Sequence, residues 1–531
     1  MNGTPMNSKL LRAAGLAAIV AHPLLYCLHF AGDAQVHLVF AEAAARGRFF
    51  EFNPGEITPG VTSPGYMLVL ALLFRALPIT VVPIAVKLLN LAAWYVFCWF
   101  VYRIAAIVTR DKRWAFAVLL VTALMPGSAY NANVGMENGL FAAVLWGWLV
   151  GATRWQWFDS GRLDESANGQ RVLLTEVVLG TLLGIGCWLR PEGFVVATIA
   201  HLVRLSRGRP AFSVARILGI LVLLVLAGGV LLFHWRFTGH WIPTSALSRV
   251  TIMASRRWGG DFFAFYPGFS LRLLAYLPIT IFFLIGCHRV VVSRSRDPIV
   301  LFAMASFWVF FVAYSVVLGS AHLARYVLFV MPMMIVIAAI GAQSVCAATL
   351  GGDVKRRNRR DRWLLSGAAL LACVYVVEAG YRWQTNPRES LLEAMRAPAQ
   401  RHAYSDALLA RLGETRSLPV SLGCESVQIR YQVDERFVIR SLDGRVDPVL
   451  LDYVRNGQVD HIGYIKHRHI DFLVEQPSYN PRADVWSLRD LRKLAPGASM
   501  QREGVRFRRH DSTSIYAVDL GQGPTADGPL H

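Results

Sequence analysis

The side chains best suited to chemistry in this sequence are scarce acids, histidines and arginines placed where long apolar segments end. Asp33 comes just after the apolar segment of residues 10–30, and His37 follows four residues later. If this region is helical, the two side chains lie on one face, one turn apart. A carboxylate in this place is most simply a surface charge or a helix cap. Sheltered by apolar helices, it would hold its proton more tightly and could serve as a general base.

Charged residues recur at later ends of apolar segments. Glu137, in "NVGMENGL", begins one such segment, where a helix N-terminus favours a carboxylate. Arg190 and Glu192 occupy the short turn "WLRPEGF", which indicates a local salt bridge or a functional pair, because unpaired charges are costly there. Two groups of cations follow, namely His234, Arg236 and His240 in "FHWRFTGHW", and His322 and Arg325 in "GSAHLARY". Such residues reach toward lipid headgroups or, together, form a pocket for a phosphodiester.

The composition is that of a membrane protein with many spans. Of the 531 residues, 54% are hydrophobic and 17% are charged. The apolar residues form blocks of about 20, the length needed to cross a bilayer. No small-residue cleavage site follows the first block, so we expect a retained span and not a signal peptide. The net charge of +19 comes from residues scattered between the blocks, which favours membrane orientation over nucleic-acid binding. The seven cysteines include no CxxC pair and predict neither a disulfide framework nor a zinc site.

Hydropathy predicts about eleven transmembrane helices and a defined orientation. Their approximate limits are 10–30, 83–104, 114–131, 138–153, 172–189, 192–206, 213–234, 271–287, 298–319, 324–347 and 363–380. Alternate gaps are rich in arginine and lysine, ending with "KRRNRRDR" at 355–362, and the positive-inside rule places these gaps in the cytoplasm. The other gaps, which hold the candidate residues, and the chain after residue 380 then face outward. The chain has no convincing internal repeat, which disfavours a secondary transporter.

The segment between the first two predicted spans contains a long outward loop. The stretch "FNPGEITPGVTSPGY" at 52–66 has three prolines and three glycines, which predict no regular structure, and long ordered loops are often functional. Residues 62–78 are apolar but are interrupted by Pro64 and end at Pro78. A full span here would invert the orientation of everything that follows, so we predict a juxtamembrane or re-entrant helix at the outer surface.

The last part of the chain differs in kind and predicts a small extracytoplasmic α/β domain at 381–520. Residues 388–414 have helical periodicity, and 447–458 are predicted as a second helix. Clusters of β-forming residues predict strands in "RFVIRSL", "HIDFLVE" and "TSIYAVDL". Residues 521–531 are predicted to be disordered. The fold class is therefore an α-helical polytopic domain at 1–380 followed by this smaller domain.

Taken in order, these motifs resemble the GT-C superfamily of bacterial membrane glycosyltransferases. The first outer segment, "GDAQVHLVFAEAAARGRFFEFNPGEITPGVTSPGYM", aligns without a gap with the corresponding family segment. The positions that match are Asp33, Ala34, Gly47, Phe52, Asn53, Pro54, Gly55, Glu56, Gly60, Thr62, Ser63 and Pro64. Later landmarks follow in family order, including "GMENGLF", "LRPEG", "HWRFTGHWIPTS" and "ARYVLFVMP". The nearest members are mycobacterial arabinofuranosyltransferases that use decaprenyl-phosphate arabinose; the lipid A aminoarabinose and protein mannosyltransferases are more distant.

The resemblance implies a GT-C fold in the bacterial inner membrane and an inverting glycosyltransferase that faces outward. The donor would be a polyprenyl-phosphate sugar, with arabinofuranose favoured, and the acceptor a cell-envelope glycan, a glycolipid or a protein. Asp33 would be the catalytic base, while Arg190, His322 and Arg325 would stabilise the leaving phosphate. The remaining implied substrate-binding residues are His37, Asn53, Glu56, Glu137, Glu192 and Arg236.

The sequence departs from the family pattern and leaves other hypotheses open. Gly32 stands where the family has a first Asp, Val39 replaces an arginine, and Pro59 and Val61 replace Glu and Tyr. These changes bear on the sugar more than on the reaction. No metal ligand is assigned, but some GT-C enzymes need a divalent cation, to which Glu42, Glu51, Glu56 and Glu137 could contribute. The alternatives are a flippase for a lipid-linked sugar and a non-catalytic membrane subunit.

Overall fold

In the described residues up to 350, most apolar segments form α-helices. The structure is a computed structural model, and it describes residues 8–125, 127–158, 169–206, 213–248, 277–293, 297–313, 328–350, 391–412, 418–424, 427–442, 446–455, 458–474, 498–502, 505–510 and 515–520. His322, Arg325, the predicted span 363–380 and the C-terminal residues 521–531 lie outside this part of the chain.

Most of the described helices overlap predicted spans, and three others lie between those spans. In chain order, the helices are α1 (Ser8–Leu24), α2 (Gly32–Ala45), α3 (Pro64–Ala76), α4 (Val82–Thr109), α5 (Lys112–Leu124), α6 (Ser128–Asn133), α7 (Asn138–Arg154), α8 (Gly169–Leu189), α9 (Glu192–Leu205), α10 (Val214–Thr238), α11 (Thr244–Ser248), α12 (Leu277–Val292), α13 (Pro298–Val312) and α14 (Met331–Leu350). By length and composition, α4, α8 and α10 could each cross a membrane, and five other apolar helices in the described residues are shorter. The predicted span 114–131 corresponds to two helices, α5 and α6.

The turn between α8 and α9 depends on a glycine. A Cβ atom on Gly193 would lie 2.4 Å from the backbone carbonyl carbon of Gly186 and 2.5 Å from the backbone nitrogen of Cys187. The backbone therefore passes so close to the preceding helix that no side chain fits. This close approach makes the hairpin tight and places Arg190 and Glu192 side by side at its tip.

The first outer segment is more ordered than the sequence predicted. Just before this segment, the backbone N–H of Ala31 donates a hydrogen bond to Val134 O at 3.0 Å. After α2 the chain forms a small antiparallel hairpin of β1 (Glu51–Asn53) and β2 (Glu56–Ile57), so the prediction of no regular structure was wrong. Gly55 between the strands has φ +77°, which allows the turn. Helix α3 then has 13 residues, about 20 Å, too short for a full span.

The C-terminal part contains a mixed sheet flanked by helices. Helix α15 (Leu391–Leu412) confirms the predicted periodicity. The strands are β3 (Val420–Cys424), β4 (Phe437–Ser441), β5 (Val454–Arg455), β6 (Gln458–Val459), β7 (Phe472–Val474), β8 (Ser499–Arg502), β9 (Val505–His510) and β10 (Ile515–Asp519). Six of them form a sheet in the order β4-β3-β7-β10-β9-β8, in which β3 is parallel to β4 and β7.

The three predicted strands correspond to β4, β7 and β10, but the predicted helix at 447–458 was wrong. There the chain forms a 3-10 helix, Pro448–Tyr453, followed by the hairpin of β5 and β6. A later helix, α16 (His461–His467), was not predicted. The hydrophobic core of this part continues into the core of the helical bundle, with Leu391, Leu422 and Phe437 buried in the same cluster as Phe30 and Phe40. The C-terminal part therefore packs firmly on the first outer segment.

We expect Gly193→Ala to destabilise the protein, because the new methyl group would meet backbone atoms that cannot move aside. Overpacking of this kind costs about 1–3 kcal/mol. The matched control is Gly228→Ala in α10, where a Cβ would meet no atom within 4 Å. Thermal unfolding in detergent, followed by tryptophan fluorescence, should show a lower midpoint for Gly193→Ala alone. Equal midpoints for the two variants would contradict the packing argument.

Candidate active site

Arg190 lies between two carboxylates at the end of the helical bundle. Its Nη1 lies 2.8 Å from Glu137 Oε1, and its Nη2 and Nε donate to Glu192 at 2.6 and 3.1 Å. Nη1 also donates to the side chain of Asn138. All four residues are buried, with Arg190 only 4% exposed. The arginine thus joins the start of α7 to the α8–α9 turn, and burial makes each of these ion pairs costly to break.

His37 extends this cluster to α2. Its Nε2 lies 3.3 Å from Glu137 Oε2, and its ring packs edge-on against Tyr66 with 5.5 Å between ring centroids. Tyr66 is held in turn, because its hydroxyl donates to Gly135 O at 2.9 Å and accepts from Asn90 Nδ2 at 3.2 Å. The predicted site residues His37, Glu137, Arg190 and Glu192 therefore meet in one place. We call them the buried cluster.

Asp33 lies in the first turn of α2, one helical turn before His37, and is half-buried. Helix α2 begins against the loop before α7, and the close contact requires a glycine. Gly135 has φ +88°, and a Cβ on it would lie 2.7 Å from the ring of Phe30 and 3.0 Å from Ala34 Cβ. The structure thus places Asp33 on the helix that carries His37, at the same end of the bundle as Arg190.

Arg236 is placed differently from the buried cluster. It is exposed near the end of α10, two residues after the buried His234. His234 Nδ1 lies 2.6 Å from His240 O, and its ring packs edge-on against Phe50. The following turn contacts the first outer segment through Thr244 N, which donates to Pro59 O at 2.9 Å. This region therefore packs on the same outer segment, with Arg236 directed away from the core.

Asn53 and Glu56 contact the C-terminal part of the chain. The Asn53 side chain accepts from Ile439 N at 2.9 Å and donates to Ile439 O at 3.0 Å, as a neighbouring β-strand would. Arg440 binds Glu56 through two hydrogen bonds of 2.7 and 2.8 Å. Thr58 Oγ1 also donates to Val446 O. The motif "FNPGE" thus docks the C-terminal sheet onto the first outer segment.

The environment of Glu56 favours its charged form. Burial alone would raise its pKa, but the hydrogen bonds from Arg440 and Asn53, with the nearby charges of Arg440 and Arg468, outweigh burial and lower the pKa below its usual 4.5. Sequence reasoning missed Arg440, whose only signal was an arginine in the predicted strand "RFVIRSL".

A second contact joins the end of α2 to α15. Arg401 Nη1 and Nη2 lie 3.0 and 2.7 Å from the two oxygens of Glu42, and Arg46 Nη2 lies 2.6 Å from Glu42 Oε1. These residues line an open cleft. Its other lining residues are Val39, Ala43, Arg48, Glu51, Phe52, Pro54, Arg430 and Val433. Burial and the charge of Arg401 lower the pKa of Arg430 to about 10. Arg401 was also missed, because nothing in its helical segment marks it.

The four glutamates considered for a cation each bind a different arginine. Glu42 binds Arg401 and Arg46, Glu51 binds Arg48, Glu56 binds Arg440 and Glu137 binds Arg190. Within the described ranges, no group of three or more His, Cys, Asp or Glu side chains is arranged to hold a metal ion.

Comparisons with known proteins add a distant structural likeness. No protein-family model and no curated protein sequence matches this chain. Among solved structures, the apo Archaeoglobus fulgidus oligosaccharyltransferase is 13% identical, with 87% of this chain and 69% of that one covered and a TM-score of 0.49. ArnT from Cupriavidus metallidurans bound to undecaprenyl phosphate is also 13% identical, with coverage of 97% and 98% and a TM-score of 0.48. The fold itself is that of a multi-pass α-helical membrane protein with a C-terminal α/β region.

We expect Glu56 to make stability depend on pH in a defined direction. Because its pKa in the folded protein is below 4.5, its pairing with Arg440 stabilises the fold above that pH and is lost as the pH falls through the folded value. The difference in unfolding midpoint between wild type and Glu56→Gln should therefore shrink on acidification.

The control for this prediction is Glu393→Gln, where the sign is reversed. Burial raises the pKa of Glu393, so protonation of Glu393 favours the folded state. As the pH falls, the unfolding midpoint of wild type should therefore rise relative to that of Glu393→Gln. Parallel pH profiles for the two variants would contradict the assignment of Glu56 to the interface.

Proposed function

We propose that this protein is an inverting membrane glycosyltransferase of the GT-C type that uses a polyprenyl-phosphate sugar. The observation that carries the proposal is the buried cluster itself, which gathers scarce charged residues of α2, α7 and the α8–α9 turn at one end of apolar helices. Isolated charges are expensive in such surroundings, and those retained there commonly mark a substrate site. The motif resemblance over the same residues supports the same conclusion.

Asp33 is the proposed general base. It would accept the proton of the acceptor hydroxyl, and the hydroxyl oxygen would then attack the anomeric carbon of the donor. The bond from that carbon to the phosphate oxygen breaks, and the electron pair leaves with the polyprenyl phosphate. One base and one displacement invert the anomeric configuration. His37, one turn from Asp33, would orient the acceptor or the base, since Glu137 and Tyr66 restrict its ring.

The leaving phosphate gains negative charge, which cations can stabilise. Arg190, with His322 and Arg325 outside the described residues, is proposed for this role, and each well-placed donor contributes about 3 kcal/mol in a shielded site. Glu137 and Glu192 fix the guanidinium of Arg190, so little reorganisation would be needed when charge develops. The motif resemblance alone supports substrate contacts for Arg236, Asn53 and Glu56. Asn53 and Glu56 also bind the C-terminal sheet.

The proposed orientation places this end of the bundle outside the cytoplasm of a bacterial inner membrane. Arginine and lysine concentrate in the gaps assigned to the opposite side. A lipid carrier delivers its sugar at the outer leaflet, where nucleotide sugars are scarce. Arabinofuranose is the favoured sugar, with a cell-envelope glycan, glycolipid or protein as the acceptor. The assignment of these arginine- and lysine-rich gaps to the cytoplasm can be tested by cysteine labelling in intact cells.

We expect Asp33→Asn to lower the transfer rate about 10²-fold or more, because the amide cannot accept the hydroxyl proton. The assay uses purified protein, decaprenyl-phosphate arabinose and a cell-envelope extract, and it measures release of free decaprenyl phosphate. The matched control is Asp111→Asn, at the N-cap of α5, where the side chain accepts a hydrogen bond from Arg113 N at 2.8 Å. Near-wild-type turnover in Asp33→Asn would remove Asp33 as the base.

The same assay separates the proposal from a flippase or a non-catalytic subunit, since only an enzyme releases the prenyl phosphate. Wild-type protein that releases none from any of several polyprenyl-phosphate sugars would overturn the proposed function.

We expect Arg190→Ala and Arg325→Ala to weaken use of the lipid donor more than use of the acceptor. Their charge would act on the phosphate, which belongs to the donor. Arg190→Ala also leaves two buried carboxylates without their cation, so Arg190→Lys serves as the folded variant. Steady-state titrations should show a larger rise in donor KM than in acceptor KM. If the donor KM of the variants at both positions equals that of wild type, Arg190 and Arg325 are excluded as ligands of the donor phosphate.

A further inference from the structure

Helix α2 is held at both ends, and by different parts of the protein. Its N-terminal half contacts the bundle through Ala31 N to Val134 O and through His37 to Glu137. Its C-terminal half contacts the C-terminal region through Glu42, which binds Arg401 of α15. Glu42 is nine residues after Asp33, about 14 Å along the helix axis. The helix that carries the proposed base therefore bridges the membrane bundle and the C-terminal region.

The contact between Arg401 and Glu42 is suited to fixing a position. It is bidentate, with one guanidinium nitrogen on each carboxylate oxygen, a geometry that fixes direction as well as distance. Glu42 is 8% exposed, so water competes little for it. Arg401 is restrained on its other side, because its Nε donates to Tyr431 O at 3.0 Å and its guanidinium lies 5.1 Å from the centroid of the Tyr431 ring.

Arg46 also binds Glu42, but it cannot serve the same purpose. It lies four residues after Glu42 and its side chain is 58% exposed. A pair of this kind within one chain segment is weak and transmits nothing between domains. Arg401 reaches Glu42 from 359 residues further along the sequence. Of these two pairs, the one with Arg401 is the one that joins α2 to the C-terminal region.

Neighbouring contacts hold the segment that follows α2 in the same way. Arg430 Nε donates to Phe52 O at 3.2 Å, and Asn53 pairs with Ile439 through both of its amide atoms. The β1–β2 hairpin is therefore attached to the C-terminal sheet. Any displacement of that sheet relative to the bundle would pull on the end of α2.

We propose that Arg401 is a positioning residue, which acts through Glu42 to set the placement of α2 and with it Asp33 and His37. The inference rests on the proposed function for its effect on catalysis. The C-terminal region is then a structural part of the active site, even though Glu42, the residue that Arg401 binds, lies about 14 Å from the proposed base along α2. Its loss affects the rate of transfer more than donor binding, because a shift of about 1 Å in a reacting group can cost 10²-fold.

The kinetic test compares Arg401→Gln, Glu42→Gln and the double variant, with Arg46→Gln as the matched control. Each of the first two should lower kcat about tenfold or more while donor KM stays within about twofold. The double variant should be no slower than the slower single variant, because both remove the same contact. Arg46→Gln should keep wild-type kcat. Equal effects of Arg46→Gln and Arg401→Gln, or a loss confined to KM, would overturn the proposal.

A second measurement does not depend on activity. Hydrogen exchange followed by mass spectrometry should show faster exchange in peptides that cover 32–45 in Arg401→Gln, with peptides of α7 unchanged and Arg46→Gln like wild type. Unaltered exchange of α2 would overturn the coupling whatever the kinetics. If wild-type protein transfers no sugar but α2 responds as expected, the proposed function fails and the coupling stands. Arg401→Lys, which keeps the charge but not the bidentate geometry, should fall between wild type and Arg401→Gln, and it replaces Arg401→Gln if that variant does not fold.

Discussion

The structure depends on one constraint, which is that charges placed among apolar helices must be paired. Arg190 meets this constraint by binding Glu137 and Glu192 together, and in doing so it joins α7 to the α8–α9 turn. His37 brings α2 to the same carboxylate. The cost of leaving any of these groups unpaired holds the segments together. The buried cluster is therefore also the point where α2, α7 and the α8–α9 turn are fastened together.

The same constraint operates at the opposite end of the α8–α9 hairpin. Arg204 binds Glu176, and Trp157 Nε1 donates to Glu176 Oε2 at 2.9 Å while its ring lies 4.2 Å from the guanidinium. The two helices are thus tied by an ion pair near each end, with glycine-mediated close approach between them. That arrangement fixes the relative placement of the two helices that border the buried cluster. Helix α2 is contacted from both sides, by the bundle through His37 and by the C-terminal region through Glu42.

Much of the helical architecture follows from local sequence. Apolar blocks predicted the positions of α4, α8 and α10, and the motifs around Glu137 and Arg190 marked two ends of helices that meet. Local patterns were weaker where proline and glycine are dense. The hairpin of β1 and β2 was missed because two- and three-residue strands form here only with the tertiary contacts of Asn53 and Glu56. The helix predicted at 447–458 failed because apolar periodicity over so short a stretch is satisfied equally well by a 3-10 helix and a hairpin.

The sequence by itself determined which segments are apolar helices and which charged residues stand at their ends, because hydropathy and charge act locally along the chain. It could not determine the partners of those residues. Asn53 and Glu56 looked like substrate contacts, and only the fold revealed Ile439 and Arg440, 386 and 384 residues away, as their partners. Arg401 carried no signal in the sequence, and Glu42 stood out only as one of four glutamates considered for a cation. Such pairs are decided by the packing of the C-terminal sheet on the first outer segment, and the free energy of that packing is spread over many apolar contacts that no short motif records.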